Sequence, residues 1–265
     1  MLTIFQRLWQ VNWAEQWQYR ANLIMYLLYW LVSPIIYLAV WTSIASTKGD
    51  VNGFTVNDFV TYYMTLLIVD QITSNIVIHT FAYKIQDGTL SGELIKPIHP
   101  MLTNALVNNI AFKGLTIMGL TPIWIILFFL FRPDFSDVML TGILLAVPAM
   151  IMGFFIGYLL SAAITALAFW TTRVYSIHEF YYALILLFSG QFVPLTLMPN
   201  VIQNIAQYLP FQMLIYFPVQ LILGNLSSTQ IVQGYIVGFI WLIVSITIFN
   251  WIWRNGVKRF SAVGA

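Results

Sequence analysis

Six stretches of this chain stay apolar for about 20 residues, the length an α-helix needs to cross the hydrocarbon core of a bilayer. No water reaches that core, so every backbone N–H and C=O there must bond within its own segment, which leaves helices as the solution. The stretches fall at residues 22–44, 59–81, 114–131, 138–170, 177–197 and 231–253. The chain therefore reads as all-α: a polytopic membrane protein with six transmembrane helices in one domain over residues 1–265. Composition agrees, because 8% of its residues are charged where a soluble domain has about a quarter.

The stretches differ in detail. The first is expected to break at Ser33-Pro34, since proline supplies no N–H to the helix. The helix of the third has room to begin near Leu102, on the membrane surface. Residues 199–225, between the last two spans, are apolar but interrupted by Pro210 and Pro218, which predicts short interfacial or re-entrant helices rather than a seventh crossing. At the N-terminus, Phe5, Trp9, Trp13 and Trp17 recur every four residues and predict an interfacial helix over residues 1–20, its aromatic face among the headgroups. No basic segment followed by an apolar run and a small-residue cleavage site precedes the first span, so no removable signal peptide is expected.

Basic residues orient the spans. Arg7, Arg20, Lys84, Lys96, Lys113, Arg173, Arg254, Lys258 and Arg259 fall on one side, 9 of the 11 Lys and Arg, while Lys48 and Arg132 fall on the other. The positive-inside rule then places both termini in the cytoplasm. A net charge of +2, with no array of basic residues, speaks against a nucleic-acid partner. Cysteine is absent, which removes disulfides and thiolate metal sites.

One polar insert stands out on the cytoplasmic side, QDGTLSGELIKPIHP at residues 86–100. Asp87-Gly88-Thr89 reads as a turn and helix start, with Asp87 or Thr89 accepting the first free N–H groups. Leu90 and Leu94 then lie one turn apart with Glu93 beside them, and Pro97 and Pro100 stop the helix. These residues predict a short amphipathic surface helix whose leucines form a docking face. An ordinary solvated loop is the competing reading.

Inside the spans, Asp70 costs at least about 2.5–3.5 kcal/mol at midplane and so should face a cavity or a partner. Tyr63 and Ser74 share its helical face, and the three together are a candidate stretch of translocation path for a cationic or polar molecule; a packing contact between helices is the alternative. In the fourth span Gly153, Gly157 and Ser161 recur every four residues and permit close backbone approach, within one subunit or at a dimer seam.

The order of interfacial helix, two spans, a G-T-L-x-G-E-L-x-x-P-x-x-P insert and four more spans resembles the membrane subunits of type 2 ABC transporters, closest to a six-span bacterial export permease. The stretch from Ser189 to Pro218, with Gly190, a Pro-rich break and Leu209-Pro210-Phe211, resembles the same family, as does the basic tail from Gly256 to Phe260. The resemblance implies a passive partner in the bacterial plasma (inner) membrane. It would work with a second permease subunit, identical or related, beneath two copies of a cytoplasmic ATPase that binds the ATP and Mg. The insert, here Asp87, Gly88, Thr89, Leu90, Glu93, Leu94 and Lys96, would be the coupling helix that fits the ATPase. Pro194, Pro199, Pro210 and Phe211 would belong to re-entrant helices shaping the outer exit.

What the chain lacks points the same way. None of its five lysines is followed by Ser or Thr, so there is no G-x-x-x-x-G-K-[ST] phosphate loop, and ATP hydrolysis is expected in another chain. No H-E-x-x-H or G-x-S-x-G occurs, and His79, His99 and His178 fit no ligand spacing, so no metal and no catalytic residue is expected here. The alternatives are a stand-alone ion-coupled carrier leaning on Asp70, and a membrane scaffold without transport.

Overall fold

Helices account for nearly all of the regular structure in the computed structural model, which describes residues 2–18, 20–136 and 138–260 and has no β-strand among them. In chain order they are α1 (Leu2–Gln18), α2 (Arg20–Lys48), α3 (Val56–Thr73), α4 (Val77–Gln86), α5 (Ser91–Leu94), α6 (Leu106–Phe131), α7 (Leu140–Ala166), α8 (Val174–Phe188), α9 (Asn200–Ala206), α10 (Tyr216–Ile222) and α11 (Ser228–Val257). A π-helical turn at Met101–Ala105 runs into α6. Five segments are long and apolar enough to cross a membrane: Ile24–Lys48, Val56–Gln86, Met101–Phe131, Leu140–Phe169 and Ser228–Val257.

Three expected boundaries change. Helix α2 runs unbroken through Pro34, as α6 and α7 run through Pro122 and Pro148. Each proline leaves one carbonyl without its donor, a loss that packed helices tolerate. The second span is the broken one, because α3 stops at Thr73 and α4 restarts at Val77. The fifth stops at Phe188 rather than near residue 197, which leaves 15 residues, about 22 Å of helix. Backbone geometry ends it: Gly190 sits at φ +83° against the Tyr62 hydroxyl, a left-handed conformation that carries the chain out of the helix.

Two apolar cores hold the bundle. One joins α3, α7 and the 213–221 segment around Tyr62, Met64, Ile156, Met213 and Phe217. The other gathers Phe81, Leu90, Met101, Tyr158, Phe249 and Trp253 where α4, α7 and α11 meet the insert. The small residues of α7 serve the first core. A Cβ on Gly153 would collide with the Met213 carbonyl, and one on Gly142 with that of Leu221, so the close approach is within the chain. Gly157 lies against Leu214, and Ser161 is fully buried.

Helix α1 departs from its expected role. Trp9 and Trp13 stack with ring centroids 5.5 Å apart and cover Gly114 of α6, and buried Asn12 accepts a 2.8 Å hydrogen bond from Asn108. Phe5 and Trp17 stay exposed, so half of the aromatic face packs on protein rather than facing outward.

Candidate functional site

The insert begins with a turn closed by its own residues. The Asp87 carboxylate accepts from the Thr89 N–H at 3.0 Å and from its hydroxyl at 2.7 Å, bonds that hold the carboxyl below its usual range. Gly88 takes φ +81°, a conformation that costs a side chain about 1–2 kcal/mol. One turn of helix, α5, follows.

The leucines do not form an outward docking face. Leu90 is fully buried, and Leu94 packs against the same core beside Phe81 and Trp253. With Lys84 of α4, Glu93 makes an ion pair at 2.5 Å. Apolar surface at the end of the bundle outcompetes solvent for both leucines, so the outward surface is Gly92, Ile95, Lys96 and Pro97, with Ile95 86% exposed. His99 lies against Trp253 and Phe249, with ring centroids 4.7 and 5.7 Å away, and burial pulls its pKa below the usual value. The Gln86 amide donates to the Thr172 carbonyl at 3.3 Å, tying the insert to the start of α8.

A second site forms at the break between α3 and α4. A helix ending inside a bundle strands carbonyls on one side and N–H groups on the other. Side chains of α6 cap both ends. The Lys113 ammonium donates to the Gln71 carbonyl at 2.7 Å and to the Ser74 hydroxyl at 3.2 Å, while Asn109 Oδ1 accepts from the Ile76 N–H at 2.9 Å. Asp70, 8% exposed, lies in the electrostatic field of Lys113, and the Phe154 ring lies 5.4 Å from the same ammonium.

The break therefore gathers Asp70 and Ser74 around Lys113, a lysine that the charge pattern assigns to the cytoplasmic face. Lys113 instead sits about 12 Å along the helix from Ala105 and points into the bundle. Tyr63 is not part of this group. It is buried two turns away and donates to the Phe192 carbonyl at 2.7 Å, where the Trp41 indole also donates at 3.0 Å. Lys113 and Asn109 were missed because they were counted as flank; Asn108, Asn109 and Lys113 within a helix that is otherwise apolar were the available signal.

Residues 189–222 fold back over α7. Tyr62 donates to the Gly190 carbonyl at 2.7 Å, and the Tyr216 N–H to that of Ser189 at 2.9 Å. Pro194, Pro199 and Pro210 each precede or open a short helical segment. Phe211 is buried between Tyr181 and Phe188.

Five helical segments long and apolar enough to cross a bilayer indicate a multi-pass membrane protein rather than a soluble helical domain. The family model described as "ABC-2 family transporter protein" matches residues 20–264, and the chain belongs to that family. It is a membrane permease component of an ABC transporter; permeases of this family generally work with ATPase subunits and are typically not enzymes themselves. No curated relative matches the chain.

Proposed function

We propose that the chain is the membrane-spanning subunit of an ATP-driven exporter in a bacterial inner membrane, paired with a second permease and driven by two cytoplasmic ATPase subunits that hold the ATP and Mg. In this reading α3 and α4 make one crossing and α8 another, giving six in all with both termini in the cytoplasm. Residues 199–225 then lie on the far side and shape the exit, and Asp70 and Ser74 at the break flank the path.

The observation that carries the reading is the attachment of the insert. Leu90 is locked into the core shared with α4, α7 and α11, and Glu93 is tied to Lys84. A push on this element would pass to α4 and to the two long helices α7 and α11 instead of being absorbed by a loose loop. Each nucleotide state of the ATPase would favour one arrangement of the bundle, and the insert would carry that differential binding energy. The ATPase would meet the outward face at Ile95, Lys96 and Pro97 rather than the leucines.

Co-expression with the ATPase tests this. The intact chain should co-purify with the soluble subunit, and Ile95→Asp should abolish that association while leaving the amount of folded membrane protein unchanged. Undiminished association and ATP-dependent export with Ile95→Asp and Lys96→Glu combined would refute it.

A further inference from the structure

A cavity of about 140 Å³ opens between α2, the α3–α4 break and α8. Its walls are Tyr26, Tyr29, Trp30 and Tyr182, with the carboxylate of Glu179 and the amide of Asn75 among them. Among the described residues, no lysine or arginine lines it. Asn75, whose Oδ1 is buried without a hydrogen-bond donor, belongs to this wall. Two imidazoles, His79 and His178, share the wall with ring centroids 6.0 Å apart.

The electron-rich faces of Tyr and Trp attract cations, and a fourfold aromatic wall with a carboxylate beside it is chemistry that recognises an alkylammonium group. The volume is below the ~300–1,000 Å³ of pockets that enclose a drug-sized ligand. It fits a headgroup whose remainder leaves through the open side, where Tyr29 is 69% exposed. By contrast, a cavity of about 230 Å³ between α2, α3 and α6 is lined mainly by aliphatic side chains and Trp124, with Gln71 and Thr121 as its polar residues and no charged group among the described residues.

We propose that the Tyr26–Tyr29–Trp30–Tyr182–Glu179 cavity binds the ammonium group of a small organic cation. The proposal rests on the transport reading only in taking that cation as cargo; the cavity chemistry does not depend on it. An ammonium headgroup can arrive on a free cation or on a choline lipid, and the experiment separates the two.

The full chain is reconstituted in nanodiscs of phosphatidylglycerol, and binding of radiolabelled benzyltrimethylammonium is measured by scintillation proximity. Saturable binding is expected, displaced by unlabelled choline but not by its neutral carbon isostere 3,3-dimethylbutanol. Glu179→Gln should weaken it by about tenfold. Tyr29→Leu, at a side chain too exposed to carry the fold, should weaken it by about three- to thirtyfold. Nanodiscs of phosphatidylcholine identify the source: a raised apparent Kd means that a lipid headgroup occupies the cavity, and an unchanged one means a free cation. Absence of saturable binding, displacement by the neutral isostere, or full affinity in both variants overturns the proposal. Failure here with ATPase association intact rejects the cavity and spares the permease reading; loss of association with binding intact does the reverse.

Discussion

Two interruptions of the helical chain, at Ser74–Ile76 and at residues 87–90, are closed in opposite ways. The turn at the insert is closed locally: Asp87 caps Thr89, Gly88 supplies the left-handed residue, and the Leu90 N–H returns to the Lys84 carbonyl at 2.9 Å. The break between α3 and α4 is closed mainly from another helix, by Lys113 on one end and Asn109 on the other. Water can satisfy what a surface turn leaves open, whereas a break inside the bundle depends on protein partners. The first interruption should therefore tolerate local damage, and the second should not.

Removing Lys113 should do the most damage. Lys113→Met leaves the Gln71 carbonyl and the Ser74 hydroxyl without their buried donor, at an expected cost of about 1–3 kcal/mol each, and removes the positive charge whose field reaches Asp70. Thermal unfolding followed by size-exclusion fluorescence should reveal it as a large fall in Tm. Adding Asp70→Asn should restore part of the loss, since the two residues act as a coupled pair.

Leu90→Ala comes next, at about 2–3 kcal/mol for a large buried side chain cut back in a core. Its effect should stay regional. Hydrogen exchange should rise across residues 86–100 and leave α3 and the break protected, whereas Lys113→Met should raise exchange at the break.

The smallest effect concerns acid. Burial holds the pKa of His99 below its usual value, so as pH falls below about 6.5 the unfolded chain takes up this proton before the folded one does. Stability carried by this site should be unchanged above that pH and decline toward pH 5. His99→Phe should flatten that decline in a pH series of Tm values.

The same contrast explains what was legible in the sequence. The insert's turn could be read because its caps are neighbours: Asp87, Gly88, Pro97 and Pro100 act within a few residues of themselves. The break could not. Neither Gly nor Pro marks Ser74–Ile76, while Pro34, Pro122 and Pro148, the usual markers, sit inside unbroken helices. Its cause lies some 35 residues further along, in the polar face of α6. Five of the six apolar stretches were legible as segments long enough to span; the fifth expected stretch is shorter, and its end depends on a contact between Gly190 and Tyr62, 128 residues apart. The orientation of the insert was misread for a related reason. Leu90 and Leu94 have the spacing of a docking face, but spacing does not reveal whether the surface they cover belongs to a partner or to the chain itself.

In the proposed reading, force enters through the outward face of the insert. The chain has no cysteine, so single cysteines can be introduced without a background. With the ATPase co-expressed, Ile95→Cys should crosslink to it through a short bismaleimide, and Val232→Cys, also exposed but near the start of α11, should not. A crosslink from position 232 but not from 95, or from neither in a complex that still exports, would contradict the account.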